Sequence, residues 1–233
     1  MNNFEIVNSV GNQIVLTVLF LFGILFLLIF NEMVYRRLGL KGEITRKFAH
    51  FTGTLSTITF PYLFNSHWYI LILAVIFFII LFVSRNRTYL KSIHDIDRES
   101  LGSYLLPVSI YLTFLAADLM DNRLFFILPI LVLAICDPIA GIMGINLQQY
   151  NHQIKIFKWK LKKTWLGSLS FFVSCLIISI IALFFNLQNF TLKTFWLALV
   201  IAVVSTITEM LSWRGTDNMV IPMSVLIVLL IML

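Results

Sequence analysis

The chain has 233 residues, of which 60% are hydrophobic and 12% are charged, and its formal net charge is +6. Its mean hydropathy is +0.94. A soluble domain carries about twice this charged fraction, so the composition excludes an ordinary soluble protein and indicates a polytopic membrane protein. At about 20 apolar residues per crossing, the length leaves room for eight spans and no separate soluble domain.

Eight apolar stretches are predicted to cross the membrane as helices. They lie near Gln13 to Phe30, Phe51 to Phe64, Trp68 to Val83, Leu101 to Ala117, Leu124 to Leu147, Thr164 to Phe185, Thr194 to Leu211 and Met219 to Leu233. The second and third are short, and a helical hairpin or re-entrant pair around Asn65, Ser66 and His67 is an alternative. We therefore expect an all-α bundle of seven or eight transmembrane helices, forming one integral membrane domain over residues 1–233.

Basic residues fall almost entirely in alternate loops. Fifteen Lys and Arg residues follow the first, third, fifth and seventh spans, and only Arg123 and Lys193 lie on the other side. Because basic loops stay in the cytoplasm, this predicts that both chain termini are outside it. The first apolar stretch has no preceding basic residue and no small-residue cleavage site after it, so we expect it to remain as a helix. The small size and short external loops favour a bacterial inner membrane, with an endoplasmic reticulum or plastid membrane as the alternatives.

The five lysines between Lys155 and Lys163 have two interpretations. They are either a topology signal that contacts anionic lipid, or a contact surface for a nucleotide polyphosphate, with Lys163 best placed for the second role. Nucleic acid is not an expected partner for a basic surface that faces the membrane. Cys136 and Cys175 lie inside predicted spans without metal-ligand spacing, so we expect both to be buried apolar residues.

Polar residues at membrane depth are few and therefore informative, because an uncompensated charge there is costly. Asp137 lies about ten residues before the cytoplasmic end of the fifth span, and Pro138, Gly141 and Gly144 follow it. The proline frees a backbone carbonyl, and the glycines permit close approach of another backbone or a ligand. The alternative is a packing kink with a tolerated aspartate.

Three further groups lie on the same predicted side. Arg46, Lys47 and His50 stand where the second span begins. Arg46 and His50 are four residues apart and share a helix face, so they would point together toward an anion; the alternative is that basic residues merely flank the span. A second group, at the start of the sixth span, offers a lysine, two hydroxyls and a glycine as an anion cradle; it consists of Lys163, Thr164, Gly167 and Ser168. The third contains Glu209 and Asp217, whose oxygens are of the kind that a magnesium nucleotide requires, although Thr216 or Asp217 alone would also serve as a helix cap.

The order of these motifs resembles the polyprenol kinase family, which includes dolichol kinase, phytol kinase and CTP-dependent diacylglycerol kinases and is related to phosphatidate cytidylyltransferases. The resemblance spans residues from about 43 to 222, after a first helix and loop within residues 1–42. The motifs are Arg46-Lys47-x-x-His50, Arg98-Glu99-x-x-Gly102, Asp137-x-x-Ala140-x-x-x-Gly144, Lys163-Thr164-x-x-Gly167-Ser168, and Glu209 with Gly215-Thr216-Asp217-Asn218-x-x-x-Pro222. Two departures stand out: Leu166 replaces the family's usual glutamate, and a second glycine expected after Gly144 is missing.

The resemblance implies a membrane-embedded kinase that transfers the terminal phosphate of a nucleotide, usually CTP, to a lipid alcohol such as a polyprenol, phytol or diacylglycerol. Because phosphoryl transfer requires charge neutralisation, we also expect Mg²⁺ as cofactor, with Asp137 and Asp217 as metal ligands or in activation of the alcohol. Catalytic roles are expected for Asp137, His50 and Glu209. Nucleotide binding is expected from Arg46, Lys47, Gly144, Lys163, Thr164, Gly167, Ser168 and Asn218.

Three alternatives remain open at the level of sequence. A cytidylyltransferase that makes a CDP-lipid would use a similar cytoplasmic face. A transporter would use charges at the membrane midplane, but only Asp137 lies well inside a span and no inverted repeat is apparent. A structural membrane subunit would not require these polar residues to fall on one side. The sequence does not distinguish among lipid alcohols or between CTP and ATP.

Overall fold

The structure is a computed structural model that describes residues 9–38, 42–86, 101–146, 153–156, 159–189 and 191–233. The helices are α1 (Val10–Leu38), α2 (Gly42–Ser56), α3 (Phe60–Leu63), α4 (His67–Asn86), α5 (Gly102–Leu119), α6 (Leu124–Leu131), α7 (Asp137–Asn146), α8 (Trp165–Leu187), α9 (Leu192–Leu211) and α10 (Asp217–Met232). A 3₁₀ turn (Thr57–Thr59) joins α2 to α3, and a π-helical turn (Val132–Cys136) joins α6 to α7. Two strands, β1 (Gln153–Ile156) and β2 (Trp159–Thr164), precede α8.

Six helical segments in the described part of the chain are long and apolar enough to cross a membrane. They are Val10–Arg37, His67–Ser84, Gly102–Leu119, Leu124–Gly144, Trp165–Leu187 and Leu192–Leu211. The expectation of an all-α, polytopic bundle is confirmed. The eighth predicted span corresponds to α10, an apolar helix of 16 residues, which is shorter than a typical crossing.

The second predicted span differs most from the structure. Its residues divide among the end of α2, the 3₁₀ turn and α3, where Pro61 occupies the first turn. Helix α2 begins at Gly42 and thus includes the polar residues Arg46, Lys47 and His50, which the sequence placed before the span. Helix α2 has only 15 residues, many of them polar, so it is not one of the helices that could cross the membrane by themselves.

The segment that contains α6 and α7 is the centre of the bundle. It is the most buried of the six spans, and Phe126, Leu128, Ile130 and Leu133 have no exposed surface. Aromatic contacts surround it; the rings of Phe114 and Phe126 meet edge to face at 5.6 Å. Because lipid is as apolar as these side chains, close packing holds the helices together in the membrane. The central position of this segment places Asp137 among several neighbouring helices.

The two strands form an antiparallel hairpin that the sequence did not predict. Gln153 pairs with Thr164, and Ile156 pairs with Trp159. The hairpin falls in the predicted lysine loop, where alternation of lysine with apolar residues from Trp159 onward is typical of a strand. Its last residue, Thr164, is also the N-cap of α8, so the hairpin fixes the position of Lys163 at the end of the bundle.

Candidate functional site

Asp137 begins α7 directly after the π-helical turn. π-Helical turns are rare and occur frequently at functional sites. Pro138 lacks a backbone N–H, so the turn before it cannot follow the regular α-helical pattern of hydrogen bonds. The Asp137 carboxylate interacts electrostatically with four cationic or ionisable groups, which are Lys47, Lys163, His50 and Arg46. These groups explain how a carboxylate is tolerated within a membrane span.

Lys163 interacts with acidic residues from three helices: Asp137 of α7, Glu209 of α9 and Asp217 of α10. Its Nζ lies 2.7 Å from Glu209 Oε1 and 3.6 Å from Asp217 Oδ2. Burial by itself would lower the pKa of the Lys163 ammonium, but the carboxylates of Asp137, Asp217 and Glu209 outweigh that effect and raise the pKa above its ordinary value. The ammonium therefore stays charged at neutral pH and forms a fixed positive centre.

Glu209 is buried, with 2% of its surface exposed, and both of its carboxylate oxygens are engaged. Oε1 pairs with Lys163, and Oε2 accepts a hydrogen bond of 3.1 Å from the hydroxyl of Ser168. These contacts are those of a residue that positions Lys163. The sequence-based expectation of a catalytic role for Glu209 is untested and stays a prediction, as does nucleotide binding by Ser168.

Gly141, which has no side chain, allows Lys47 to approach α7. A Cβ placed on Gly141 would clash with Lys47 Nζ, so the ammonium lies directly against the helix, one turn after Asp137. His50 lies one turn after Arg46 on α2. It interacts electrostatically with both Asp137 and Asp217. Helix α2 thus presents its basic face to the aspartate.

The contact between α7 and α8 also depends on glycines. A Cβ on Gly144 would lie 3.0 Å from Thr164 Oγ1, and a Cβ on Gly167 would lie 3.0 Å from the carbonyl oxygen of Ala140. Thr164 Oγ1 accepts a hydrogen bond of 3.3 Å from the Gly167 N–H and thereby caps α8. These residues bring the lysine motif close to the aspartate motif; their expected nucleotide contacts remain predictions.

Asn218 links α10 to α5. Its Nδ2 donates a hydrogen bond of 2.8 Å to the carbonyl oxygen of Gly102, and its backbone N–H donates to Asp217 Oδ1 at 3.1 Å. Gly102 belongs to the second motif, but Arg98 and Glu99 of that motif lie outside the described residues. The side chains of Lys155, Lys158, Lys160 and Lys162 lie outside them too.

The structure therefore brings seven sequence-predicted residues together at one end of the bundle: Arg46, Lys47, His50, Asp137, Lys163, Glu209 and Asp217. Within the ranges that the structure describes, no three or more His, Cys, Asp or Glu side chains form a metal-binding group. Magnesium commonly binds through one or two carboxylates together with substrate phosphates. Asp137 and Asp217 both interact electrostatically with Lys163, and their expected role as magnesium ligands remains a prediction.

Sequence reasoning missed two buried polar residues on α1 and α2. Asn31 is 1% exposed and Thr54 is 0% exposed. The sequence ended the first span at Phe30, so Asn31 was counted with the flanking loop, whereas α1 continues to Leu38. A polar residue inside a membrane helix is the signal that would have found Asn31, once α1 is extended to Leu38. The expectation that Cys136 and Cys175 are buried is confirmed, and both thiols are free.

No protein-family model matches the chain, and no solved structure matches it. Among curated proteins, the chain is similar to a phytol kinase of Synechocystis sp. The two are 25% identical over 181 residues, which cover 78% of this chain and 76% of the phytol kinase. This similarity confirms, at a distant level of identity, the resemblance to the polyprenol kinase family that the motifs indicate.

Proposed function

We propose that this chain, a distant relative of a phytol kinase, is a membrane-embedded kinase that transfers the terminal phosphate of a nucleotide, preferably CTP, to a lipid alcohol. The observation that carries the proposal is the charged cluster around Lys163, with Glu209 Oε1 at 2.7 Å, Asp217 Oδ2 at 3.6 Å and the Asp137 charge nearby. Phosphoryl transfer depends mainly on positioning and charge neutralisation, which such a cluster supplies.

The cationic side chains are assigned to the nucleotide phosphates. The Lys47 ammonium lies against Gly141, and Lys163 is paired with Glu209 Oε1 at 2.7 Å. Fixed charges stabilise a transition state better than mobile ones because they need no rearrangement during the reaction. Arg46 precedes Lys47 on α2 and adds a guanidinium suited to phosphate oxygens.

Asp137 and Asp217 would hold a Mg²⁺ ion that arrives with the nucleotide. Bound Mg²⁺ would neutralise charge on the phosphate oxygens and on the leaving group. Asp217 Oδ1 already accepts the Asn218 N–H, and this bond fixes the orientation of the carboxylate. The cluster contains three Lys or Arg side chains and three carboxylates, so its net charge is close to zero. A nearly neutral site suits a nucleotide that arrives with its own Mg²⁺ ion.

One oxygen of the Asp137 carboxylate would hold Mg²⁺ together with Asp217, and the other is assigned to the acceptor alcohol. In the proposed step, the alcohol oxygen forms a bond to the terminal phosphorus, the bond from that phosphorus to the nucleoside diphosphate breaks, and the alcohol proton passes to Asp137. The charge of Asp137 acts on His50, and a catalytic role for His50 remains a prediction. The polar end of the bundle would face the cytoplasm, where the nucleotide is available, in a bacterial inner membrane.

The test uses membranes that contain the wild type, Asp137→Asn or Asp118→Asn. Asp118 is an exposed carboxylate at the end of α5 and serves as the matched control. Each preparation receives γ-labelled CTP or ATP together with phytol, a polyprenol or diacylglycerol. We expect label in one alcohol, a loss of about 100-fold or more in Asp137→Asn and no change in Asp118→Asn.

Each other result has a defined meaning. Label from the α-phosphate of CTP in the lipid, without label from the γ-phosphate, would show a cytidylyltransferase. Full activity of Asp137→Asn would remove Asp137 from the mechanism. No label in any lipid from either nucleotide would refute the proposed kinase.

A further inference from the structure

The loop between α9 and α10 is tied to the start of α5 by two hydrogen bonds. The backbone N–H of Leu101 donates to the Arg214 carbonyl oxygen at 2.8 Å. In the opposite direction, Asn218 Nδ2 donates to the Gly102 carbonyl oxygen at 2.8 Å, across 116 positions of the sequence. The N–H groups at the start of a helix have no partner within that helix, so the Leu101 N–H is available to a neighbouring segment.

Asp217 lies between the two tied points. Arg214 precedes it by three residues, and Asn218 follows it directly. Its Oδ1 accepts the Asn218 N–H at 3.1 Å, and its Oδ2 lies 3.6 Å from Lys163 Nζ. A bond to α5 on either side of Asp217 limits how far the first turn of α10 can move. The start of α5 therefore helps to set the distance between the Asp217 carboxylate and Lys163.

The loop has a compact shape of its own. Arg214 and Gly215 have positive φ angles of 50° and 85°, the left-handed region that glycine enters without steric cost. The Trp213 N–H donates to Thr216 Oγ1 at 2.9 Å, and the Thr216 N–H donates to the Trp213 carbonyl oxygen at 3.0 Å. These bonds close the turn, so a push against the loop is transmitted to the first turn of α10.

Gly102 leaves no room for a side chain at this contact. A Cβ placed on Gly102 would lie 3.0 Å from Asn218 Nδ2 and 3.1 Å from the Gly215 carbonyl oxygen. Gly102 is buried, and neighbours this close would have to move by a few tenths of an ångström. The glycine of one sequence motif and the asparagine of another thus serve the same contact.

We propose that Gly102 and Asn218 form a clasp that positions Asp217 in the candidate site, and that Asn218 acts on the nucleotide through Asp217 and not by contact with it. This inference rests on the proposed kinase function. The sequence led us to expect direct nucleotide binding by Asn218, whereas in the structure its amide is engaged with α5. Gly102 has no side chain with which to bind a ligand, and the clasp gives this residue a role in the site.

The size of the effect follows from the geometry. Groups that bind or react must be held within about 0.5 Å of their productive position. A shift of a few tenths of an ångström, as a Cβ on Gly102 would impose, approaches that limit without exceeding it. We therefore expect a several-fold loss of nucleotide affinity from either clasp residue and not a complete loss.

The first experiment measures equilibrium binding of labelled CTP with Mg²⁺ in detergent, without any lipid alcohol, so it does not depend on catalysis. Asn218→Ala and Gly102→Ala should each weaken binding about fivefold, and the double variant should bind no more weakly than either. Gly23→Ala, whose Cβ meets no atom within 4 Å, is the control for the glycine. Ser224→Ala removes a bond of 3.2 Å between α10 and α9, two turns from Asp217, and should bind CTP as the wild type does.

The second experiment asks whether Asn218 acts through Asp217. Asp217→Asn should itself weaken CTP binding, and adding Asn218→Ala should cause no further loss because the group that the clasp positions is already changed. A direct contact with the nucleotide, or a purely structural bond, would give the same loss in both backgrounds. Binding at the wild-type level by Asp217→Asn or by Asn218→Ala would also overturn the proposal. This cycle does not require Gly102→Ala to fold.

A third measurement decides whether the clasp exists, whatever the reaction. The falls in Tm caused by Gly102→Ala and Asn218→Ala should be non-additive, because both disturb one contact; strict additivity would refute the clasp. If the wild type transfers phosphate while Asn218→Ala binds CTP as tightly as the wild type, the clasp is wrong and the kinase stands. If the wild type transfers no phosphate, the kinase is wrong, and the coupling in Tm alone decides the clasp.

Discussion

Replacing Glu209 with alanine tests whether this residue positions Lys163. Glu209 is 2% exposed, its Oε1 lies 2.7 Å from Lys163 Nζ, and its Oε2 accepts the Ser168 hydroxyl at 3.1 Å. Alanine removes both contacts. Lys163 then keeps Asp217, whose Oδ2 is 3.6 Å away, so the ammonium loses its closest partner but not its only one.

The expected loss of stability is dominated by the ion pair. Removing one partner of a buried pair costs about 3 to 5 kcal/mol, and the remaining contact with Asp217 favours the lower end. The Ser168 hydrogen bond contributes less, about 0.6 kcal/mol, the mean measured for hydrogen bonds inside a membrane protein. A loss of about 3 kcal/mol corresponds to a fall in Tm of roughly 6 to 12 °C for a chain of this size.

The assay is thermal unfolding in detergent micelles, followed by circular dichroism, for the wild type, Glu209→Ala, Lys163→Met and the double variant. Glu209→Gln is the shape-matched control, because its carbonyl accepts from Lys163 and its amide donates to Ser168. It should therefore lose less stability than alanine. A Tm for Glu209→Ala within about 1 °C of wild type, or strictly additive effects of the two single substitutions, would refute the positioning role.

Three further predictions follow from the same contacts. Gly141→Ala should displace the Lys47 ammonium and lower phosphate transfer about tenfold or more, measured as γ-label in lipid, whereas Gly23→Ala, whose added Cβ meets no atom within 4 Å, should not. Because its folded pKa is raised, Lys163 should contribute full stability below the ordinary lysine pKa of about 10.4 and lose that contribution only as pH rises through the folded pKa. The difference in Tm between wild type and Lys163→Met should thus be constant from neutral pH to about pH 9, and a steady decline over that range would contradict the raised pKa. Asn218→Ala should lower the unfolding free energy by about 1 kcal/mol through loss of its bond to α5; an unchanged Tm would show that this bond contributes nothing.

The sequence by itself determined the class of the protein and the identity of most charged residues in the candidate site. Long apolar stretches become helices because lipid cannot satisfy backbone N–H and C=O groups, so hydropathy alone predicts the bundle. Asp137 was recognisable because a carboxylate inside an apolar stretch requires compensation. Lys163 and Asp217 were recognisable as charged residues at span ends, on the same predicted side.

Tertiary structure decided which of these residues meet and which polar groups are left without partners. The contact of Ser168 with Glu209 joins residues 41 positions apart, and hydropathy, a local property, does not specify how two helices rotate to face each other. For the same reason the sequence did not reveal that Asn31 and Thr54 are buried, because their burial depends on how their helices pack against neighbouring elements. Local composition thus determined the helices, whereas the rotation and packing of those helices decided the site.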